Sequence, residues 1–228
     1  MVGTEEVVQR TRPRLSKNRV LDAAVTIADA GGIGALTIRT LAQELGVKPM
    51  TVYHHVANKD EILDGIVEVV FSEIELPVIG GDWRLEMRRR AHSARTVLGR
   101  HRWAIGLLES RPTPGPATLR HHDVVLGTLR AAGFSRAMTA HAYALIDSYT
   151  YGFALQEASL PFEGAGAVSE MADPVVAQLA GDQYPHMAAM VSEHYLLPDY
   201  DFAEEFDFGL NLILDALDAS LSSSTAKG

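Results

Sequence analysis

The sequence predicts an all-α protein, a small three-helix head followed by a larger helical-bundle body. Three observations predict it. Apolar residues recur every three or four positions in nearly every segment, which is helical spacing. No alternating apolar–polar run of useful length occurs, so no sheet is expected. Glycine and proline cut the chain into helix-length pieces at Gly31-Gly32, Gly80-Gly81, Pro112 to Pro116, Gly133, Pro161 to Gly166 and Pro198.

The elements follow in order. Residues 1–16 carry Arg10, Arg12 and Arg14 with little apolar content and read as a flexible basic arm. Ser16 can cap a helix starting at Lys17, whose apolar face is Val20, Leu21, Ala24, Ile27 and Ala28. Gly31-Gly32 ends it. Thr37 caps a short second helix that buries Leu41, Ala42 and Leu45 and stops at Gly46. Val47-Lys48 form a tight turn. Pro49 then opens a third helix through Val56, because the proline's missing N–H is unpaired at a first helical position anyway. Val52 and Val56 should face the core. Asn58 caps a long helix with Ile62, Leu63, Ile66, Val69, Val70 and Ile74 on one stripe, ending near Pro77. Further helices are expected over 83–101, 102–109, 113–132, 136–158, 174–194 and 202–222. The expected division is an arm at 1–16, a head at 17–63, a body at 64–222 and a disordered tail at 223–228.

Composition narrows the function. The 228 residues are 47% hydrophobic, enough for a sizeable core. There is no cysteine, hence no disulfide framework and no thiolate chemistry. No apolar run is long enough to span a membrane, and the first residues lack a basic-then-apolar signal, so a cytoplasmic protein without a membrane partner is expected. The net charge is −9, but it is unevenly placed: residues 9–60 hold eight basic against four acidic side chains. A basic head on an acidic body suits a module that binds a polyanion.

A short helix, a glycine turn and a second short helix form a helix-turn-helix, whose second helix enters the major groove of duplex DNA. The residues suit that task. Lys48 can neutralise a phosphate, and Pro49 and Met50 offer apolar surface to thymine methyls. Thr51 and His54 can bond a base or a phosphate, while Tyr53 and His55 can reach backbone oxygens. Arg39 is placed for a guanine edge or a phosphate, with Thr37 at the start of the same helix. Lys59 stands where a helix N-terminus meets the backbone.

These same residues resemble the tetracycline-repressor (TetR) family of transcriptional regulators. The likeness runs through Val20-Leu21-Asp22-Ala23-Ala24, Gly34-Ala35-Leu36-Thr37-Ile38-Arg39 and Leu41-Ala42-Gln43-Glu44-Leu45-Gly46-Val47. It continues through Met50-Thr51-Val52-Tyr53-His54-His55-Val56 and Asn58-Lys59-Asp60-Glu61-Ile62-Leu63. It implies a repressor that binds a palindromic operator as a homodimer and is released by a small-molecule effector. The body also resembles that of the tetracycline repressor, at Trp83, His101-Arg102, Ser110-Arg111-Pro112-Thr113, Gly133-Phe134-Ser135, Tyr149 to Phe153 and Phe206 to Leu214.

The body departs from that pattern where a magnesium–drug chelate would be held. Gly106 to Ser110 contains no histidine, and a metal-holding acidic position late in the eighth helix falls on Gln156. An effector other than magnesium–tetracycline is therefore expected, with no metal and no cofactor. Candidate effector walls are Trp103, Leu107, Leu108, Arg111, Tyr149, Phe153 and Met187. The helices near 136–158 and 202–222 should pair across a two-fold axis. Their nominated faces are Ala140, Tyr143, Ala144, Asp147, Tyr151 and Ala154 on one, and Phe206, Leu210, Ile213, Leu214 and Leu217 on the other.

Other readings are open at this point. The chain lacks a nucleophile elbow, a Walker loop, a dinucleotide fingerprint and a zinc motif, so an enzyme is not expected. A helical scaffold without DNA binding, and a ligand-dependent corepressor or activator, are the alternatives.

Overall fold

The computed structural model describes residues 14–108, 110–111, 113–160 and 183–225. Among these, every regular element is helical. The helices are α1 (Lys17–Gly31), α2 (Ile38–Leu45), α3 (Pro49–Val52), α4 (Lys59–Glu73), α5 (Trp83–Arg100), α6 (Ile105–Leu108), α7 (Pro116–Ala131), α8 (Arg136–Ser159), α9 (Pro185–Met190) and α10 (Glu205–Thr225). Single 3-10 turns at Ile33–Ala35, Arg102–Ala104 and Phe202–Glu204, and a π-helical turn at Val191–Tyr195, complete the regular structure. Most of the basic arm, the break at Pro161 to Gly166, the first part of the helix expected over 174–194 and the end of the tail lie outside the described residues.

The caps act where the sequence placed them. Ser16 accepts from Arg19 N, and Asn58 accepts from Glu61 N. Thr37 accepts from Thr40 N while the Thr40 hydroxyl accepts from Thr37 N, a reciprocal box that starts α2. Gly46 takes φ 65°, ψ 35°, and its N–H returns to α2 carbonyls. A side chain would be strained in that left-handed conformation, which ends the helix.

The body helices start and stop near their expected places. The segment expected over 102–109 divides into the 3-10 turn and α6, and α7 begins only at Pro116. Of the segment expected over 174–194, the described part holds α9 and the π-helical turn.

Two cores meet along α4. The head core holds Val20, Leu21, Ala24, Leu41, Val52 and Val56, and takes Ile62 and Ile66 from the first half of α4. The second half turns Val67, Val70, Phe71 and Ile74 onto Ala94, Val97, Leu98 and Leu108. Trp103 packs against both groups. The third core, in the body, gathers Trp83, Met87, Leu129, Phe134, Ile146, Phe153, Phe206, Leu210 and Leu214. The helix that follows the recognition unit thus belongs to both the head and the body cores, so a shift of either end is felt at the other.

Candidate nucleic-acid interface and effector cleft

The recognition element is shorter than its sequence suggests. Regular α-helix covers only Pro49–Val52, and Tyr53 to His55 form a turn. The bonds tighten there: His54 N donates to Thr51 O at 3.3 Å and His55 N to Val52 O at 2.9 Å. The cause lies downstream. Ala57 N donates to Glu61 Oε2 at 2.6 Å, and Asn58 is extended as the cap of α4, which pulls the chain off a helical path. Val52 and Val56 remain fixed in the core at 0% and 2% exposure.

This anchoring turns the polar residues outward. Thr37, Arg39, Lys48, Pro49, Met50, Tyr53, His54 and Lys59 are exposed, and Thr51 and His55 are half-buried. All ten residues nominated from the sequence lie on or beside the helix-turn-helix. The Thr37 hydroxyl is already used as the α2 cap, so its first role is structural. The sequence reading missed Glu61, whose carboxylate takes bonds from Ala57 N and from Lys17 Nζ at 2.5 Å. The Ala57 N–H and then the Lys17 ammonium hold that carboxyl below its usual range. Its spacing of three from Asn58 is the capping-box signal that would have found it.

Among the described residues, the nominated effector side chains are spread over several contacts. Arg111 donates through Nε to Asp64 Oδ1 at 2.5 Å and through Nη2 to Asp60 Oδ1 at 3.3 Å, tying the first turns of α4 to the loop after α6. The hydrogen bond to Asp64 raises its pKa above the usual value. Arg111 and Leu108 line a space of only about 30 Å³, roughly the room of a water molecule. Leu107 packs on the core between α4 and α5, and Trp103 donates Nε1–H to Asp29 at 2.6 Å. Tyr149 donates to the Glu205 and Phe206 carbonyls and stacks on the Phe206 ring. Phe153 is buried against Phe202 and Phe206, and Met187 is half exposed on α9. Most of these seven side chains are spent on packing or on ties between helices.

A cleft of about 460 Å³ opens instead between α5, α8 and the 3-10 turn before α10. Its walls include His92, Arg95, Thr96, Glu157 and Phe202. Arg95 donates Nε to Glu157 Oε2 at 2.9 Å and Nη2 to Glu157 Oε1 at 2.5 Å. The guanidinium lies 5.0 Å and 4.8 Å from the ring centres of Phe153 and Phe206. The volume is within the range of small-molecule sites, and the wall pairs flat apolar surface with a fixed donor and acceptor. Arg95 and Glu157 lie on different helices, 62 residues apart, so no spacing in the sequence announced the pair.

The centre of the body is polar. Arg90, 1% exposed, is paired with Asp147 and donates Nε to His121 Nε2 at 3.2 Å. Burial opposes the charge on Arg90, but the Asp147 carboxylate outweighs it and raises the Arg90 pKa. Burial first, then the Arg90 charge, push the His121 pKa down to about 3, so the ring is neutral and accepts from Arg90. This corrects the nominated dimer faces. Asp147 and Ala154 on α8, and Phe206, Leu210, Leu214 and Leu217 on α10, are consumed within the protomer. Ala140 and Ala144 of the nominated α8 face stay exposed, and the large apolar side chains left exposed on these helices are Leu145, Leu155, Phe208 and Leu212.

Among the described residues, no group of three His, Asp or Glu side chains is arranged to hold a metal ion, and no helix is long and apolar enough to cross a membrane.

With this geometry in hand, comparison with known proteins gives consistent results. Residues 20–66 match the model of the bacterial regulatory proteins, tetR family, and residues 76–221 match that of the tetracyclin repressor-like C-terminal domain. An HTH-type transcriptional regulator of Saccharopolyspora erythraea is 32% identical, over 94% of this chain and 89% of its own. The HTH-type transcriptional repressor DrrR1 of Streptomyces coeruleorubidus is 34% identical, over 91% and 78%. The Streptomyces coelicolor protein ActR in complex with actinorhodin superposes with a TM-score of 0.73 at 27% identity, covering 91% of this chain and 99% of ActR.

Proposed function

This chain belongs to the TetR family of bacterial regulatory proteins, and from that premise we propose that it is a ligand-responsive transcriptional repressor. It binds a near-palindromic operator as a homodimer and leaves it when a small molecule binds the body. The observation that carries the reading is the contrast within the recognition unit. Val52 and Val56 are locked in the head core, while Arg39, Lys48, Met50 and His54 stand exposed around a four-residue helix. Exposed cations flanking such a helix suit phosphate contacts that position it in the groove.

The dimer surface is the exposed face of α8 and α10 that carries Leu145, Leu155, Phe208 and Leu212. Phe208 and Leu212 are one turn apart on α10 and stand 65% and 56% exposed among the described residues. A two-fold pairing there covers them and sets two heads for two half-sites.

The effector is a small molecule other than magnesium–tetracycline, taken by the cleft at Arg95 and Glu157. The complex of ActR with actinorhodin supports a small-molecule effector for this body. A ligand that parts Arg95 from Glu157 moves α5 against α8. Because α5 meets the head through His101 and Trp103, the head spacing changes with it. The effector must bind the DNA-incompetent arrangement more tightly, and DNA must oppose the effector by the same factor. The protein acts in the cytoplasm, where its operator is.

The test is a mobility-shift titration of the full-length protein against fragments of the promoter regions around its own gene, at one stated salt concentration. A saturable, sequence-selective shift with dimer stoichiometry is expected, weakened by Arg39→Ala and Lys48→Ala. Equal weak binding to every fragment, unchanged by both substitutions, rejects the proposal.

A further inference from the structure

The two charged partners in the cleft are unequal. The Arg95 side chain is 16% exposed and that of Glu157 33%. The Arg95 guanidinium sits in a corner between two buried rings, 5.0 Å from the centre of Phe153 and 4.8 Å from that of Phe206. Two ring faces hold a planar cation in place and resist its withdrawal. Glu157 stands two residues before the end of α8, and rotation of its own side chain carries its carboxylate into water. Of the pair, Arg95 is the fixed member and Glu157 the replaceable one.

Their contact is forked, with Nε donating to Oε2 at 2.9 Å and Nη2 to Oε1 at 2.5 Å. A carboxylate is the group that this edge of a guanidinium is shaped to take. The wall beside the fork is smooth. Ala154 and Ala158, one turn apart on α8, line the cleft together with Gly99 on α5 and the half-buried Phe202. A Cβ on Gly99 would meet nothing within 4 Å, so the space there is open. Small side chains beside an aromatic ring leave a slot that suits a flat apolar body. The other charged walls have bonds of their own: His92 Nε2 lies 2.9 Å from Asp207 Oδ1, and Asp201 accepts from Ala203 N at 2.9 Å.

We infer that the cleft takes a carboxylate carried on a flat apolar ring system, and that Glu157 is the protein's own stand-in for it, holding the Arg95 fork until the incoming acid group displaces it. The inference rests on the reading of this cleft as the effector site and names the ligand class. The exchange is even in hydrogen bonds, because Arg95 loses two and gains two while the released Glu157 carboxylate is hydrated. The net gain comes from burying the ring system. Arg95 stays in its corner, so the step that admits the ligand also unfastens α8 from α5.

The experiment titrates the full-length protein with 2-naphthoate and with 2-naphthamide, which keeps the ring and the size but not the charge, and follows binding by ligand-observed NMR up to millimolar concentration. Glu157→Gln vacates the fork, so it is expected to bind naphthoate on the order of tenfold more tightly than the wild type, the size of one charge-assisted contact. Its affinity for naphthamide should change by less than about twofold, within the scatter of uncoupled changes. Arg95→Met, which keeps an apolar filling for the ring corner, should bind the two probes equally, and adding Glu157→Gln to it should then bring no gain. Arg95→Lys keeps the charge without the fork and should lose most of the preference, which serves if the methionine variant does not fold. Thermal melts by circular dichroism identify any variant that is unfolded. A preference for naphthoate that persists in Arg95→Met and Arg95→Lys overturns the assignment to Arg95. An unchanged naphthoate affinity in Glu157→Gln overturns the role of Glu157. Equal binding of both probes to every variant overturns the acid class while leaving the cleft as the effector site. No binding of either probe to any variant overturns the reading of the cleft, and the inference with it.

Discussion

Asp29 Oδ1 lies 2.8 Å from His101 Nδ1, and this contact fastens the end of α1 in the head to the end of α5 in the body. The opposite ring nitrogen, His101 Nε2, lies 3.3 Å from Glu73 Oε2 at the last turn of α4. Trp103 Nε1 donates to the same Asp29 oxygen. One imidazole thus joins three helices. Replacing it by alanine removes both ring contacts while Asp29 keeps Trp103 and Glu73 keeps Arg100, at a cost of about 1 kcal/mol. Urea unfolding of His101→Ala, followed by Trp103 fluorescence in a Trp83→Phe background, should show that loss. A loss below about 0.5 kcal/mol, the scatter of neutral surface changes, would mean the joint is held elsewhere.

A second tie joins α4 to α7. Glu68 accepts from Ala117 N at 2.6 Å, Thr118 N at 3.2 Å and Thr118 Oγ1 at 2.5 Å, and so caps the α7 N-terminus from another helix. A Cβ on Gly115 would collide with that carboxylate. Glu68→Ala is therefore expected to destabilise by about 2 kcal/mol. Gly115→Ala should cost a similar amount, and the double variant should cost less than the sum, because both act on one contact. Additive losses in thermal unfolding would contradict a shared cause.

The buried His121 predicts an acid response. Its folded pKa is about 3, against 6.5 for the free side chain. The unfolded chain therefore binds more protons between those values. The stability that His121 contributes is fully present above about pH 6.5 and is lost as pH falls towards 3, at no more than about 1.4 kcal/mol per pH unit. Stability measured in urea from pH 7 to pH 4 should fall less steeply for His121→Gln than for the wild type. Parallel curves would show that the ring takes no part in acid unfolding.

The α10 face predicts the assembly. Phe208 and Leu212, 65% and 56% exposed, can be replaced by Asp without entering the protomer core. Phe208→Asp with Leu212→Asp should give a folded monomer by sedimentation and helical content. Operator affinity should fall by at least about tenfold, since one half-site contact no longer supports the other. A dimer that persists would move the interface off this face.

Much of the head was legible because its signals are local. Ser16, Thr37 and Asn58 each bond a backbone N–H three residues on, and Gly46 stops α2 by its own backbone conformation. The length of α3 was misread, because its end is set by Glu61 reaching back to Ala57 across a turn. Periodicity at Val52 and Val56 is satisfied equally by a helix and by a tightened turn.

The body was legible as helices but not as a site. Apolar spacing identifies a buried stripe without saying what covers it. Phe206, Leu210 and Leu214 fit a partner's helix or their own core equally well by pattern, and the three-dimensional packing assigns them to the core. Arg90 with Asp147, and Arg95 with Glu157, are brought together only when α5 lies on α8. The sequence by itself determined the helices, their caps, the helix-turn-helix and the family. Tertiary structure alone decided which charges pair, where a cleft remains and which faces stay uncovered. Caps and turns depend on neighbours a few residues away, whereas pairing and cavities depend on contacts between segments that the chain separates by tens of residues.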